Sequence, residues 1–315
     1  MRVVALVPGG IGDQILFFPT LDGLKRHYPH AQIDVVVEPQ SKAAYGVSKS
    51  VHEVLTFDYK DRNSLADWGN LVGTIRDREY DVAISAGQSW FVGLLLWLTG
   101  IPKRIGYQGN GTLFLTDSIP CQISQYAAAI YYDLLKPLGI DKPCPELAIN
   151  IPKSALDWAK QEQQRLGTEQ TGYILIYAGS DRLPPAQIYP QQSWQEIIQE
   201  CQKQQPDLPI VVIQDRDDVE FVRSLQADCP NIKITAPEDI SKLAAIIGGA
   251  SLMLSINSPA LQLSVAVQTY TIALLGGADP RQLLPKSDKF LTIKSATAQT
   301  ADISPKTVLE KIWAG

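Results

Sequence analysis

The sequence predicts an α/β protein whose two parallel-sheet domains face a central cleft, and three observations carry that expectation. Short β-branched runs alternate with helical patterns, the signature of parallel α/β units. The alternation stops once, at a proline-rich stretch near the middle, and then resumes. At 315 residues the chain is also longer than one hydrophobic core usually serves. Its 45% hydrophobic and 19% charged content is that of an ordinary globular protein with a sizeable core.

In chain order, "VVALV" (3–7), "IDVVV" (33–37), "VLTF" (54–57) and "DVAIS" (81–85) read as strands. Between the first two, Phe17, Phe18, Leu21, Leu24 and Tyr28 recur at helical spacing. Pro19 falls inside that pattern, which predicts a kink or a helix that begins near it. The apolar run "WFVGLLLWLTG" from Trp90 is about half of the roughly 20 residues a membrane span needs, so a buried helix is expected, with contact to a membrane surface as the alternative. Pro137, Pro143, Pro145 and Pro152 mark the break, and a polar helix runs from there to Gly167. "YILIY" (173–177), "PIVVI" (209–213), "IKIT" (232–235), "LMLSI" (252–256) and "TYTIALL" (269–275) restore the strand pattern. The expected division is 1–150, a linker and helix over 151–171, and 172–315.

Charge narrows the function classes. Residues 1–150 hold 13 Lys/Arg against 15 Asp/Glu, and the remainder 15 against 18, so neither half is a basic nucleic-acid module. Cys121, Cys144, Cys201 and Cys229 show no CxxC or CxH spacing, and no leader-like stretch precedes the first strand. The expected setting is the reducing cytoplasm. His27, His30 and His52 all lie early, and no HExxH, GxSxG or GK[ST] motif occurs. Histidine-based nucleophilic catalysis and a histidine-rich metal site therefore have little support.

Ligands of open α/β sheets bind beyond the carboxyl ends of the strands, which directs attention to the loops that follow them. "PGGIGDQ" (8–14) supplies Gly10 and Gly12 of a G-x-G-x-x-G pattern, but Ile15 stands at the third glycine, which disfavours a dinucleotide oxidoreductase. Asp13 has two readings there: a cap of the helix that follows, or a carboxylate that accepts a hydroxyl proton. In the second half, Gly179 and Ser180 of "YAGSDR" offer donors suited to a phosphate. "SINSP" ends a strand with Asn257 or Ser258 as cap and Pro259 early in a helix, where free N–H groups favour anions. "GGADP" reads as backbone architecture.

Taken in order, these pieces resemble glycosyltransferase family 9, whose best-known members are the ADP-heptose:lipopolysaccharide heptosyltransferases. The resemblance runs through "GGIGDQILFFPTLDGLKRHYPHAQIDVVVEP", "REYDVAIS", "RIGY", "YYDLLKPLGI", "YPQQSW", "DISKLAAIIGGASLMLSINSP" and "GGADP", nearly the length of the chain. It implies the GT-B fold of two Rossmann-like domains, acceptor on the first and nucleotide sugar on the second. The implied chemistry is inverting transfer to a saccharide or glycolipid acceptor in lipopolysaccharide or envelope polysaccharide synthesis, without a metal or other cofactor, at the inner membrane surface. Asp13 falls on the family's catalytic aspartate, with Gly10, Gly12 and Arg104 toward the acceptor. Gly179, Ser180, Gln187, Asn257, Ser258 and Gln262 fall along the donor site, with an ADP-sugar as the default.

The departures concern the diphosphate. Gln187 and Tyr189 stand where the family has a Lys or Arg before Trp-Pro, and Asn257, Ser258, Pro259 and Gln262 replace its Asp-Thr-Gly-x-x-His loop. "QDRDD" (214–218) replaces a glycine-rich turn, while Arg182, Arg216 and Arg281 are the candidate replacement cations. The alternative is a catalytically impaired relative that binds a glycan or a partner protein.

Overall fold

The computed structural model describes residues 1–59, 64–179 and 184–313. The chain divides into two compact units, Met1–Asn150 and Ile151–Gly315.

In the first unit, strands β1 (Arg2–Val7), β2 (Gln32–Val37), β3 (Glu53–Thr56), β4 (Val82–Ser85), β5 (Lys103–Tyr107) and β6 (Asp117–Ile119) alternate with helices α1 (Ile11–His27), α2 (Leu65–Arg76), α3 (Trp90–Thr99) and α4 (Ala127–Asp133). The sheet order is β3-β2-β1-β4-β5-β6, and every pairing is parallel. That is the doubly wound order, in which the chain reverses direction between β1 and β4 and opens a crevice beyond their carboxyl ends. Val3 to Val7 are all essentially inaccessible. A strand covered by helices on both faces reads as a continuous apolar run, which is why β1 was legible.

The second unit repeats the plan. Helix α5 (Lys153–Leu166) leads into strands β7 (Ile174–Tyr177), β8 (Ile210–Ile213), β9 (Lys233–Thr235), β10 (Leu252–Ile256), β11 (Thr271–Leu275) and β12 (Phe290–Lys294). Helices α6 (Gln191–Gln204), α7 (Val219–Asp228), α8 (Ile240–Gly248), α9 (Pro259–Ala266), α10 (Pro280–Leu283) and α11 (Pro305–Trp313) cover them. The order β12-β11-β10-β7-β8-β9 places the reversal between β7 and β10. Trp194 of α6 is the largest fully buried side chain, standing edge-on to Tyr189 at 5.0 Å and 82°. The Tyr189 hydroxyl donates to the Ile303 carbonyl at 3.0 Å and ties α6 to the segment before α11.

Three expectations need correction. Helix α1 begins at Ile11, not at Pro19, and runs through the proline. Pro19 removes a single main-chain hydrogen bond there, and the buried side chains on either side of it hold the helix against the sheet. Helix α3 is not wholly buried: Val92, Leu95 and Leu96 face the core, while Trp90 and Trp97 are 51% and 53% exposed. A run apolar all round gives no sign of which face is covered. Strands β5, β6 and β12 were not read as strands, because Lys103, Arg104 and Lys294 interrupt them and β6 spans three residues.

Candidate functional site

The loop between β1 and α1 is built around Asp13. Gly10 is the N-cap of α1, and its N–H donates to Asp13 Oδ2 at 2.8 Å. Asp13 therefore caps from the third helical position, folding back on the residue before the helix, instead of standing as the N-cap itself. Either way, a carboxylate at the positive end of the helix is favourable. Gly9 is demanded by the same arrangement. Its φ of +117° is one that side-chain-bearing residues rarely adopt, and a Cβ there would lie 2.4 Å from Asp13 Oδ2.

A buried polar network holds this loop from behind. Gln14, fully buried, donates its amide to the Val7 carbonyl at 3.0 Å and to the Gly9 carbonyl at 3.4 Å, and its Oε1 accepts from Tyr45 at 2.8 Å. Ser41 adds a hydrogen bond to the Gly9 carbonyl at 2.8 Å. The amide is thus satisfied at both ends, as a buried polar side chain requires. Across the crevice, a Cβ on Gly87 would approach the Pro8 ring to 3.0 Å, so glycine lets the turn after β4 pack against the turn after β1. From α4, Tyr131 packs edge-on against Phe17 at 5.6 Å, with its phenol near the Asp13 charge. Burial, and next the neighbouring Asp13 charge, push that phenol above its ordinary range, so it remains a donor.

Gly12, part-buried, lies in the first turn of α1 beside Asp13. Arg104 is not brought to this end. In the sheet register it is level with Val4, short of the carboxyl end of β1, and its guanidinium donates to the carbonyls of Ile101 and Phe114, at 2.8 Å for the latter. The side chain fastens the turn between β5 and β6.

In the second unit, Gly179 follows the carboxyl end of β7, and Asn257 and Ser258 follow that of β10. Gly179 follows β7 with φ +87°, while Ser180 and Arg182 lie outside the described residues. Ser258 is the N-cap of α9, accepting from the Leu261 N–H at 3.3 Å and lying 3.1 Å from Ser255 Oγ, with Pro259 at the first helical position. Asn257 precedes it, part-buried. Gln262, 2% exposed, donates its amide to the Leu283 carbonyl at 3.2 Å, and its buried Oε1 has no partner among the described residues. Gln187 ends a short 3-10 turn, Pro185–Gln187, and is part-exposed.

The turn after β8 at this edge is acidic. Tyr177 ends β7 against the acidic turn after β8: its buried phenol is pushed up by burial, then by the charges of Asp215, Asp218 and Asp217. Arg281 is engaged by Asp279 at 2.9 Å, on the turn where Asp279 also caps α10. The acids of this edge thus already hold one of its candidate cations. Gly276 is architectural, as expected: a Cβ would meet the Ala298 carbonyl at 2.6 Å.

The family model described as glycosyltransferase family 9 (heptosyltransferase) matches residues 68–313. The chain belongs to glycosyltransferase family 9. By that membership it is a glycosyltransferase. Among curated relatives, lipopolysaccharide heptosyltransferase 3 of Escherichia coli is 22% identical over 287 residues, 85% of this chain and 81% of the relative. Photosynthetic NDH subunit of subcomplex B 1, chloroplastic, of Arabidopsis thaliana is 24% identical over 341 residues, 98% of this chain and 72% of the relative. The solved ADP-heptose lps heptosyltransferase II of E. coli superposes with a TM-score of 0.80 at 18% identity, covering 100% of this chain and 98% of that one. This likeness carries the fold, which is GT-B.

Tyr131 is the feature of this site that the sequence does not single out. Nothing in the local spacing of "YYDLLKPLGI" couples Tyr131 to a residue on α1.

Proposed function

We propose that the protein moves a sugar, heptose or another, from a nucleotide-sugar donor to a saccharide or glycolipid acceptor with inversion, in lipopolysaccharide or envelope polysaccharide synthesis. The acceptor hydroxyl oxygen attacks the anomeric carbon while the bond from that carbon to the diphosphate oxygen breaks. Asp13 takes the hydroxyl proton, and the nucleoside diphosphate leaves with the bonding electron pair. The observation that carries this reading is the Asp13 carboxylate, held by the Gly10 N–H at the carboxyl end of β1 in a chain of this family.

Gly10 and Gly12 give an acceptor close access to the first turn of α1. The donor side falls to the second unit, with Gly179, Ser180, Gln187, Asn257, Ser258 and Gln262. An ADP-sugar is the default, supported by the ADP-heptose named for the E. coli enzyme. The start of α9 would face the departing diphosphate, since helix N-termini favour anions, and no metal is invoked. No helix among the described residues is long and apolar enough to cross a membrane. A cytoplasmic protein lying against the inner membrane surface through Trp90, Trp97 and Leu98, all about half exposed, fits a glycolipid acceptor.

The test is transfer from ADP-, UDP- and GDP-sugars by wild type and Asp13→Asn. Losing a general base costs about a hundredfold to ten-thousandfold; unchanged transfer in the variant removes Asp13 from the role. A second reading, a catalytically impaired member that binds a glycan or partner, is favoured by the relative named as an NDH subunit, which spans 98% of this chain. The acidic turn beside Gly179 also weighs toward it, because it sets negative charge near a site meant for a diphosphate. Calorimetry with the same nucleotide sugars separates the two, and no binding at millimolar concentration selects the second.

A further inference from the structure

We propose that the trough between α2 and α3 is a lipid site, which takes one acyl chain of an anionic phospholipid and sets its headgroup at Arg76. The inference rests on the reading of the α3 face as the one that meets a membrane, and it names the molecule that face holds. The trough is a cavity of about 370 Å³, within the roughly 300–1,000 Å³ of small-molecule sites. Leu65, Trp68 and Val72 of α2 and Phe91, Leu94 and Leu98 of α3 line it. Trp68 stands edge-on to Phe91 at 4.5 Å and 86°, which ties the two helices together. Gly69 keeps the trough open. A Cβ there would meet nothing within 4 Å, so no neighbour demands glycine, although glycine weakens a helix interior. Trp90 and Trp97 on α3 are half-exposed, and tryptophan favours the boundary between water and lipid.

Charge selects the kind of lipid. The ten residues of α3 are uncharged, and among the described residues no acid lines the trough. Arg76 does line it, exposed in the last turn of α2 and without an ion pair among the described residues. An apolar channel with one cation at its end matches an acyl chain with a negative head. Direction separates this lipid from the sugar acceptor. Both helices lead from the carboxyl ends of parallel strands to their amino ends, so Leu65 and Phe91 lie toward the edge that holds the Asp13 loop. Arg76 closes the 12-residue helix at its other end, roughly 16 Å from Leu65 at 1.5 Å per residue. A glycolipid with its hydroxyl at Asp13 would bring its head to the end without the cation. A lipid of the membrane surface brings it to Arg76.

Lauroyl lysophosphatidylglycerol, titrated below its micelle concentration into the full-length protein and followed by calorimetry, is expected to bind at one equivalent. Gly69→Leu fills the trough and should weaken it at least about tenfold, the worth of two buried methylenes. Gly73→Leu is the control, since that glycine also has open space around it but does not line the trough; it should bind as wild type does. Both variants replace a helical glycine and should melt no lower than wild type. Arg76→Gln should weaken the anionic probe about fivefold and leave lauroyl lysophosphatidylcholine unchanged. No binding by wild type overturns the proposal, as does wild-type affinity in Gly69→Leu. Should Gly69→Leu not fold, wild-type affinity of Arg76→Gln for the anionic probe overturns it instead. A second copy of this chain is the rival occupant: self-association that Gly69→Leu abolishes, with no lysolipid bound, refutes the lipid site. Phosphatidylcholine vesicles containing phosphatidylglycerol that fail to carry the protein down on sedimentation defeat the membrane reading of the face alone, because the lysolipid titration needs no bilayer.

Discussion

Gly9→Ala tests the loop where the geometry is most demanding. The substitution asks a side-chain residue to hold φ +117° and places a methyl 2.4 Å from Asp13 Oδ2. Backbone strain of this kind costs about 1–3 kcal/mol. The clash has one outlet. Gly9 is held by hydrogen bonds to its carbonyl from Gln14 and Ser41, so the Asp13 carboxylate must swing away and release the Gly10 N–H. A hydrogen bond to a charged group is worth about 1.5–3 kcal/mol, which brings the cost to roughly 2.5–6 kcal/mol. For a unit of this size each kcal/mol lowers the melting temperature by about 2–4 °C, so the transition of the first unit should fall by at least about 5 °C. Scanning calorimetry reads the loss and a transfer assay reads the displaced carboxylate. A Gly9→Ala protein that melts within a degree of wild type and transfers sugar at the wild-type rate would refute the reasoning.

Two further outcomes follow from burial. Trp194→Ala should cost the second unit about 3–5 kcal/mol by urea denaturation, as expected for a fully buried Trp; Trp194→Phe should cost distinctly less, because the indole N–H it removes has no partner among the described residues. The Cys144 thiol is pushed up to about 12 by burial, then by Asp133. Four units above pH 8 leaves about one thiolate in ten thousand, so Cys144 should resist a disulfide reagent at that pH until urea unfolds the protein; prompt labelling of native Cys144, located by mass spectrometry, would contradict the packing.

What could be read from the sequence follows what is local. The turn at Gly9, Gly10 and Asp13 was visible because a strand, a glycine pair and a helix lie next to one another in the chain. Ser258 and Pro259 were visible as a helix start for the same reason. Arg104 was placed near the acceptor by its resemblance alone, and only the register and its two carbonyl partners show it committed to a neighbouring turn. Tyr131 was invisible because its partner lies on another helix, far earlier in the chain. Gln14 drew no notice because an amide in a helix reads as a surface residue until Val7, Gly9 and Tyr45 are seen around it. Strand β5 was missed because two cations open it, although Ile105, Gly106 and Tyr107 beyond them are buried.

The bond from Gly10 to Asp13 has a bearing on ancestry. The aspartate closes the first turn of its helix whether or not a sugar is ever transferred, and the fit around Gly9 is drawn to the shape of its carboxylate. Selection for a folded chain alone therefore disfavours its replacement. A descendant that abandoned transfer for a place in some larger assembly would be expected to keep this acid long after losing the residues that grip the donor.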